Sequence, residues 1–287
     1  MKSKSKSKPT VPKAWGRSGG NSNALAQQIV QRNRDAALRA GRREMLRVLR
    51  HAEEVLLKRL KAFSFGREEL TWTHAETIAA LIQIRDVLQH LEPHFAAMLA
   101  KNANLMKALG AKDTVQLLAF FEQLKPGVLK PLSLEYAAAT RLLAYQFESS
   151  VKNWTRSALN SIEKRLNTDV LQGKSIGEVR RAIEQEGLVT AESWRLERLV
   201  RTEIMNAYNE GHMQEMQEQR KQNFPDLKKK ILATFDARTA YDSRGVHGQV
   251  RELEEEFIDG KGRTYLRPPA RPNDREVVIP WRDSWIA

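Results

Sequence analysis

The feature that most restricts the fold is a helical apolar stripe in the pattern from Ser133 to Leu171. Phe147, Val151, Trp154, Ala158, Ile162 and Leu166 advance by three or four residues, which keeps one face of an α-helix on a core. At 1.5 Å per residue a helix over the whole span is roughly 55–60 Å long, more than most compact domains need. The pattern therefore predicts an extended bundle or coiled-coil scaffold. The same period recurs from about Ala24 to Phe65, where Met45, Leu49, Ala52, Leu56 and Leu60 form one stripe. A further helix is expected from Thr73 to Leu91, burying Ile78, Leu81, Ile82, Leu88 and Leu91, with Pro93 breaking or restarting it. A shorter helix is expected near Thr114 to Leu124, and another from about Thr190 to Gln219.

Past Phe224-Pro225 the texture changes. Lys229 to Phe235 reads as a strand, a turn-rich region with Gly245, Gly248, Gly260 and Gly262 follows, and Glu276 to Trp281 reads as a second strand. The expected class is α+β: a tail over 1–23, a mainly helical part over 24–189 and a small C-terminal α+β module over 190–287.

Charge divides the chain differently. Residues 1–50 hold 13 Lys and Arg against Asp35 and Glu44, whereas the remainder balances 35 basic against 33 acidic groups. Most of the net charge of +13 thus sits in the N-terminal segment. Lys2, Lys4, Lys6, Lys8, Lys13 and Arg17 lie in a Ser-, Pro- and Gly-rich tail. Such a tail has too little apolar surface to offset its ordering entropy, so residues 1–23 are expected to be disordered when free. Trp15 is its one large apolar side chain. Arg39, Arg43, Arg47 and Arg50 then repeat at helical spacing. At ~100° per residue, each of the last three lies about 200° from the apolar residue two positions on, which makes a basic ridge opposite the core. Tail and ridge together point to a polyanionic partner, either DNA or an acidic protein surface.

Several classes are disfavoured. No run approaches the ~20 apolar residues of a membrane span, and no secretory signal is expected. With no cysteine there is neither a disulfide nor a thiolate metal site. No helix-turn-helix, zinc finger or aromatic stacking platform is evident for sequence-specific nucleic-acid reading.

The candidate motifs lie toward the C-terminus. Arg201-Thr202-Glu203, with Ala207, Asn209 and Gly211, falls within the last long helix. There Arg201 and Glu203 stand about 200° apart and cannot share a small catalytic pocket, while Glu197 and Arg201 can pair at i, i+4. Asp236-Ala237-Arg238-Thr239 follows the first strand, where the Asp236 carboxylate is expected to accept backbone N–H bonds. His247-Gly248-Gln249 reads as a loop. Arg267-Pro268-Pro269-Ala270-Arg271-Pro272-Asn273-Asp274-Arg275 is a stiff segment that feeds the final strand.

In this order and spacing the four motifs resemble the phage Mu F-like head-morphogenesis family over about residues 190–282. The resemblance implies a minor capsid protein of a tailed bacteriophage, associated with the portal and assisting head assembly, packaging or DNA delivery. Its implied partners are the portal and/or a major capsid or scaffolding protein, with DNA met through the basic N-terminus. Its implied location is the virion head interior or portal region, and the host cytoplasm during assembly. Many members of the family place Cys or His in the turn after Arg-Thr and again in the proline stretch. By that pattern the matching positions here are Ala240, Ser243, Arg271, Asp274 and Glu276. A soft tetrahedral metal site cannot be built from these residues, so no metal or other cofactor is expected. Arg271 is placed to pair with Asp274 or Asp242 instead.

The alternatives are a nucleic-acid-binding protein unrelated to virions and a nuclease or ADP-ribosyltransferase-like toxin. The enzyme readings would use Asp236, Asp242 and Glu252, or the paired Glu252 and Glu254. Glu252-Leu253-Glu254-Glu255-Glu256 looks more like a solvated acidic run, which favours an assembly protein over an enzyme.

Overall fold

The computed structural model describes residues 19–125, 127–131, 136–187, 189–234 and 239–286. Within these residues six α-helices span Gly19–Ser64 (α1), His74–Phe121 (α2), Tyr136–Leu171 (α3), Ile176–Glu186 (α4), Ser193–Gln222 (α5) and Tyr241–Val246 (α6). Five strands span Lys228–Leu232 (β1), Val250–Arg251 (β2), Phe257–Ile258 (β3), Thr264–Tyr265 (β4) and Val277–Trp281 (β5). The chain is α+β, with long helices first and the strands at the C-terminal end. Among the described residues no helix is long and apolar enough to cross a membrane.

The expected stripes are buried. Met45, Leu49, Ala52, Leu56 and Leu60 of α1 share one core with Phe147, Val151, Trp154, Ala158, Ile162 and Leu166 of α3. The spine of that core is α2, which packs against α1, α3 and α5. Here the structure corrects the sequence expectation. α2 runs unbroken for 48 residues through Pro93 and takes in the expected separate helix at Thr114. An interior proline costs about 3 kcal/mol. Leu88 before it and Phe95 and Leu99 after it are almost fully buried on one face, and each contributes ~1.5–3 kcal/mol that a break would forfeit. Pro93 and Gln89 are both exposed, so the carbonyl that loses its helical donor meets water. The buried face of the first turns is also shifted from the expected one. Ile78 and Ile82 are 54% and 57% exposed, and Thr77, Ala80, Ile84 and Val87 are buried instead.

Two elements go beyond the sequence reading. α4 opens on a capping box in which Ser175 and Glu178 satisfy each other's backbone N–H. The loops at that end of the bundle pair: the Trp72 N–H donates to the Lys174 carbonyl at 2.7 Å, and the Ile176 N–H to the Leu70 carbonyl at 2.8 Å. The second addition is the set of two-residue strands β2, β3 and β4 in the turn-rich region.

The larger sheet has the order β2-β1-β5, all antiparallel, with Ile231 opposite Val278 and Leu232 opposite Val277. Successive residues of a strand point to opposite faces, and this sheet is buried on both. Leu232, Val277 and Ile279 join the helical core. Ile231 and Val278 join a second cluster with Met213, Met216, Val246, Leu253 and Phe257. The sheet is a septum between the bundle and the small module.

The long helices α2 and α5 approach each other backbone to backbone. A Cβ added to Gly110 would lie 2.2 Å from the Tyr208 carbonyl oxygen, and one added to Gly211 would lie 2.0 Å from that of Lys107. Beside this crossing lies a buried polar group. Asp113 accepts from the Tyr208 hydroxyl at 2.5 Å and from Asn33 of α1 at 2.8 Å. The Thr114 hydroxyl gives its proton to the Gly110 carbonyl, so the contact between Thr114 and His212 Nδ1 at 2.6 Å has the imidazole donating. His212 Nε2 has no hydrogen-bond partner among the described residues. Burial pushes His212 down to about 3, and burial pushes Asp113 up to about 6 against the pull of Tyr208 and Asn33.

Gly211→Ala must part the helices, and its unfolding free energy is expected to fall by about 3 kcal/mol, the upper range for overpacking. An unchanged denaturation midpoint would rule out so close a crossing. His212 generates a pH dependence. The folded imidazole stays neutral down to about 3 while the unfolded one takes a proton near 6.5, so stability is lost as pH falls through that window. Asp113 acts in the opposite sense between about 6 and its unfolded value near 4, because there the folded state holds the extra proton. His212→Gln removes only the first effect. Relative to that variant, the wild type should lose stability between about pH 6.5 and pH 4 in denaturant titrations; a constant difference would contradict a neutral buried imidazole.

Candidate functional site

On α5, Arg201 donates to Glu197 at 2.8 Å, and Glu197 also holds Arg42 of α1 at 3.1 Å. Arg201 is thus part of a surface ion-pair ladder. The neighbouring motif residues face the proline stretch. The Asn273 N–H donates to the Thr202 hydroxyl at 3.3 Å, and Arg267 donates to the side-chain oxygen of Asn206. Glu203 is half-buried with its carboxyl raised by that burial and hydrogen-bonded to Asn206. One turn further on, the buried Asn209 binds the edge of β5: its amide donates to the Glu276 carbonyl at 3.2 Å and accepts the Val278 N–H at 2.9 Å.

The loop motifs make similar bonds. His247 Nδ1 accepts the Ala233 N–H at 3.1 Å just past the end of β1, and burial and the nearby Lys230 hold this imidazole below its usual range. Gly248, at φ 82°, donates its N–H to the Ile231 carbonyl at 2.8 Å and turns the chain onto β1. The Gln249 amide donates to the Ile258 carbonyl at 2.6 Å and accepts the Ile258 N–H at 3.2 Å. The Thr239 hydroxyl donates to the Thr234 carbonyl. Arg34, buried on α1, reaches the Thr234 hydroxyl at 3.2 Å and the Arg275 carbonyl at 3.0 Å. In the proline stretch the Pro268–Pro269 peptide is cis and Asn273 takes φ 65°. Pro272, Asn273 and Arg275 line a cleft of about 190 Å³ with Thr234, Thr239 and Ser243.

Arg271 takes both partners suggested by the sequence. Its Nη1 pairs with Asp242, its Nε reaches Asp274 at 3.2 Å and its Nη2 donates to Ser243 at 2.6 Å. Asp242 also holds Arg263 at 2.6 Å, and Arg263 holds Asp259 at 2.6 Å. Glu276 accepts from the Tyr265 hydroxyl at 2.8 Å, and its carboxyl is raised by burial and by the nearby Asp274. Sequence reasoning missed Lys229. Buried in the central strand, it donates to the carbonyls of Leu253 at 3.0 Å and Leu266 at 2.7 Å and lies 4.9 Å from the Phe257 ring centre. Burial lowers its amine to about 8. The sequence carries no signal for this role, since Lys229 stands between two other lysines at the start of its strand.

Arg39, Arg43, Arg47 and Arg50 are all exposed. The last three line a shallow groove along α1 with Leu46, His51 and Glu54. Glu252 pairs with Lys228 at 3.4 Å, and Glu254 pairs with Arg220. Lys2, Lys4, Lys6, Lys8, Lys13, Arg17, Asp236 and Arg238 lie outside the described residues.

A family model described as Phage Mu protein F like protein matches residues 160–279. This segment is similar to the Mu F-like family. The match starts within α3, about 40 residues before the first of the four motifs, and ends in β5. No curated protein and no solved structure matches the chain. Within the Mu F-like segment, Thr202, Asn206, Asn209, Thr239, His247, Gln249 and Asn273 all bond backbone or neighbouring side chains of the same segment or of the strand end beside it.

Asn209→Ala leaves the Val278 N–H and the Glu276 carbonyl in a buried place without these partners. At ~1–3 kcal/mol for each unsatisfied group, a loss of roughly 2–4 kcal/mol is expected in chemical denaturation. A loss below about 1 kcal/mol would mean that water takes over the amide's role.

Proposed function

We propose that the protein is a minor head protein of a tailed bacteriophage, working in head morphogenesis at the portal and in contact with packaged DNA. The Mu F-like match over residues 160–279 carries this reading. The geometry supports an assembly role: the described motif side chains Thr202, Asn206, Asn209, Thr239, His247, Gln249 and Asn273 are engaged in bonds that hold the module together. Portal, major capsid or scaffolding protein is the protein partner, within the head or, during assembly, the host cytoplasm. The tail expected over 1–23, whose last five residues belong to α1, and the ridge on α1 meet the DNA. The ridge suits a phosphate backbone because its guanidiniums stand free of the core, one helical turn or about 6 Å apart. The helical part over 24–189 presents this face, and the segment over 190–287 docks on the head.

Each Lys or Arg that neutralises a duplex phosphate adds about 0.9 to the salt slope of log affinity. Deleting residues 1–23 removes Lys2, Lys4, Lys6, Lys8, Lys13 and Arg17, so the slope on duplex DNA should flatten by several units while circular dichroism stays helical. Replacing Arg39, Arg43, Arg47 and Arg50 by serine in the truncated chain should remove most remaining affinity. Copurification with portal rings or assembled heads tests the docking role. An unchanged slope with lost incorporation would make the tail a protein-docking arm; unchanged slope and incorporation would refute any role for it.

A further inference from the structure

All five positions at which the resemblance implies metal ligands converge in space: Ala240, Ser243, Arg271, Asp274 and Glu276 border one cleft. At their centre is the Arg271 guanidinium. Zinc does not fit this donor set. The chain has no thiolate, and the nearest carboxylates are already committed. Asp242 is held by Arg271, by Arg263 at 2.6 Å and by Lys261 at 3.5 Å, while Asp274 is held by Arg271 and by the Ala270 N–H at 3.0 Å. A dication would have to displace cations that are covalently part of the protein.

We infer that Arg271 is the clip of the C-terminal module, a guanidinium performing the cross-linking that coordination performs in a metal site. It joins the proline stretch to α6 through Asp242 and Ser243. Through Asp242, Arg263 and Asp259 it extends to the β3–β4 hairpin. Three different donors of one planar group go to three different acceptors. Only arginine has that fork; a lysine ammonium conserves the charge but is a single point that cannot span the three positions. Both carboxylates are nearly inaccessible, at 7% and 3% side-chain exposure. Removing the guanidinium would therefore strip the buried Asp274 of its ion pair and leave Asp242 dependent on Arg263 and Lys261. The module is in this way independent of metal supply and of redox state, and it depends on one side chain instead.

The test uses the full chain and two readouts. For the wild type, elemental analysis should find well under one metal per chain, and excess chelator should leave the melting temperature unchanged. In hydrogen exchange, Arg271→Met should lose protection together across 242–246, 259–265 and 274–276, by at least about tenfold, while 147–166 is unaffected. Arg271→Lys should lose most of the same protection. If Arg271→Met does not fold, Arg263→Met severs the hairpin branch alone and should lose protection confined to 257–265. Stoichiometric zinc in the native protein, a melting point lowered by chelator, or unchanged protection in Arg271→Met would overturn the inference. Full protection in Arg271→Lys would overturn the requirement for a fork.

Discussion

The structure depends on a contact that contains no side chain. α2 and α5 meet at Gly110 and Gly211 with less than a methyl group's room between the backbones. A crossing this close fixes the two helices against sliding and rotation, since any residue with a Cβ at either point must part them. α2 organises the bundle, while α5 carries Asn209, Asn206 and Thr202 to the sheet and the proline stretch. The position of the module relative to the bundle thus follows from where two glycines touch. The buried Asp113, Tyr208 and His212 beside the crossing add directional bonds that a purely apolar contact would lack.

The small module packs around the second apolar cluster, and polar groups do much of the rest of its construction. Two side-chain amides act as substitute strands. Asn209 caps the free edge of β5, and Gln249 pairs in both directions with Ile258. Lys229 holds two loop carbonyls from beneath, and Arg271 gathers the carboxylates. Each such bond contributes only ~0.5–1.5 kcal/mol net but is costly to leave unmade inside the protein. That asymmetry makes the arrangement specific, because an alternative packing of these loops would strand several buried groups at once.

The long helices were legible because their signal is a repeat. The stripes of α1 and α3 are buried as the spacing required, and the two principal strands stand close to where Lys229 to Phe235 and Glu276 to Trp281 placed them. The failures have physical causes. A local rule for Pro93 met a helix whose flanking residues bury enough surface to carry it through, and Ile78 and Ile82 were assigned to a core that passes on their other side. The two-residue strands gave no periodicity to read. Among site residues, the resemblance pointed to Arg271 pairing with Asp274 or Asp242, and the structure has both pairs. The roles of Asn209, Gln249 and Lys229 were not legible, since nothing in a sequence says which backbone group an amide or an ammonium will meet.

The length of α1 has a mechanical consequence. Arg34 is anchored in the C-terminal module, and the helix then continues to Ser64, where the loops of the bundle's far end pair through Thr71 and Ser175. Thirty residues of helix make a strut of roughly 45 Å. The arginine ridge lies along the module half of that strut, so charge and domain share one end while α4 and the paired loops close the other. Two objects held at opposite ends would be kept a fixed distance apart by a rod of braced helices, and a pull on the far end would reach the module along α1 and α2 without passing through any loop.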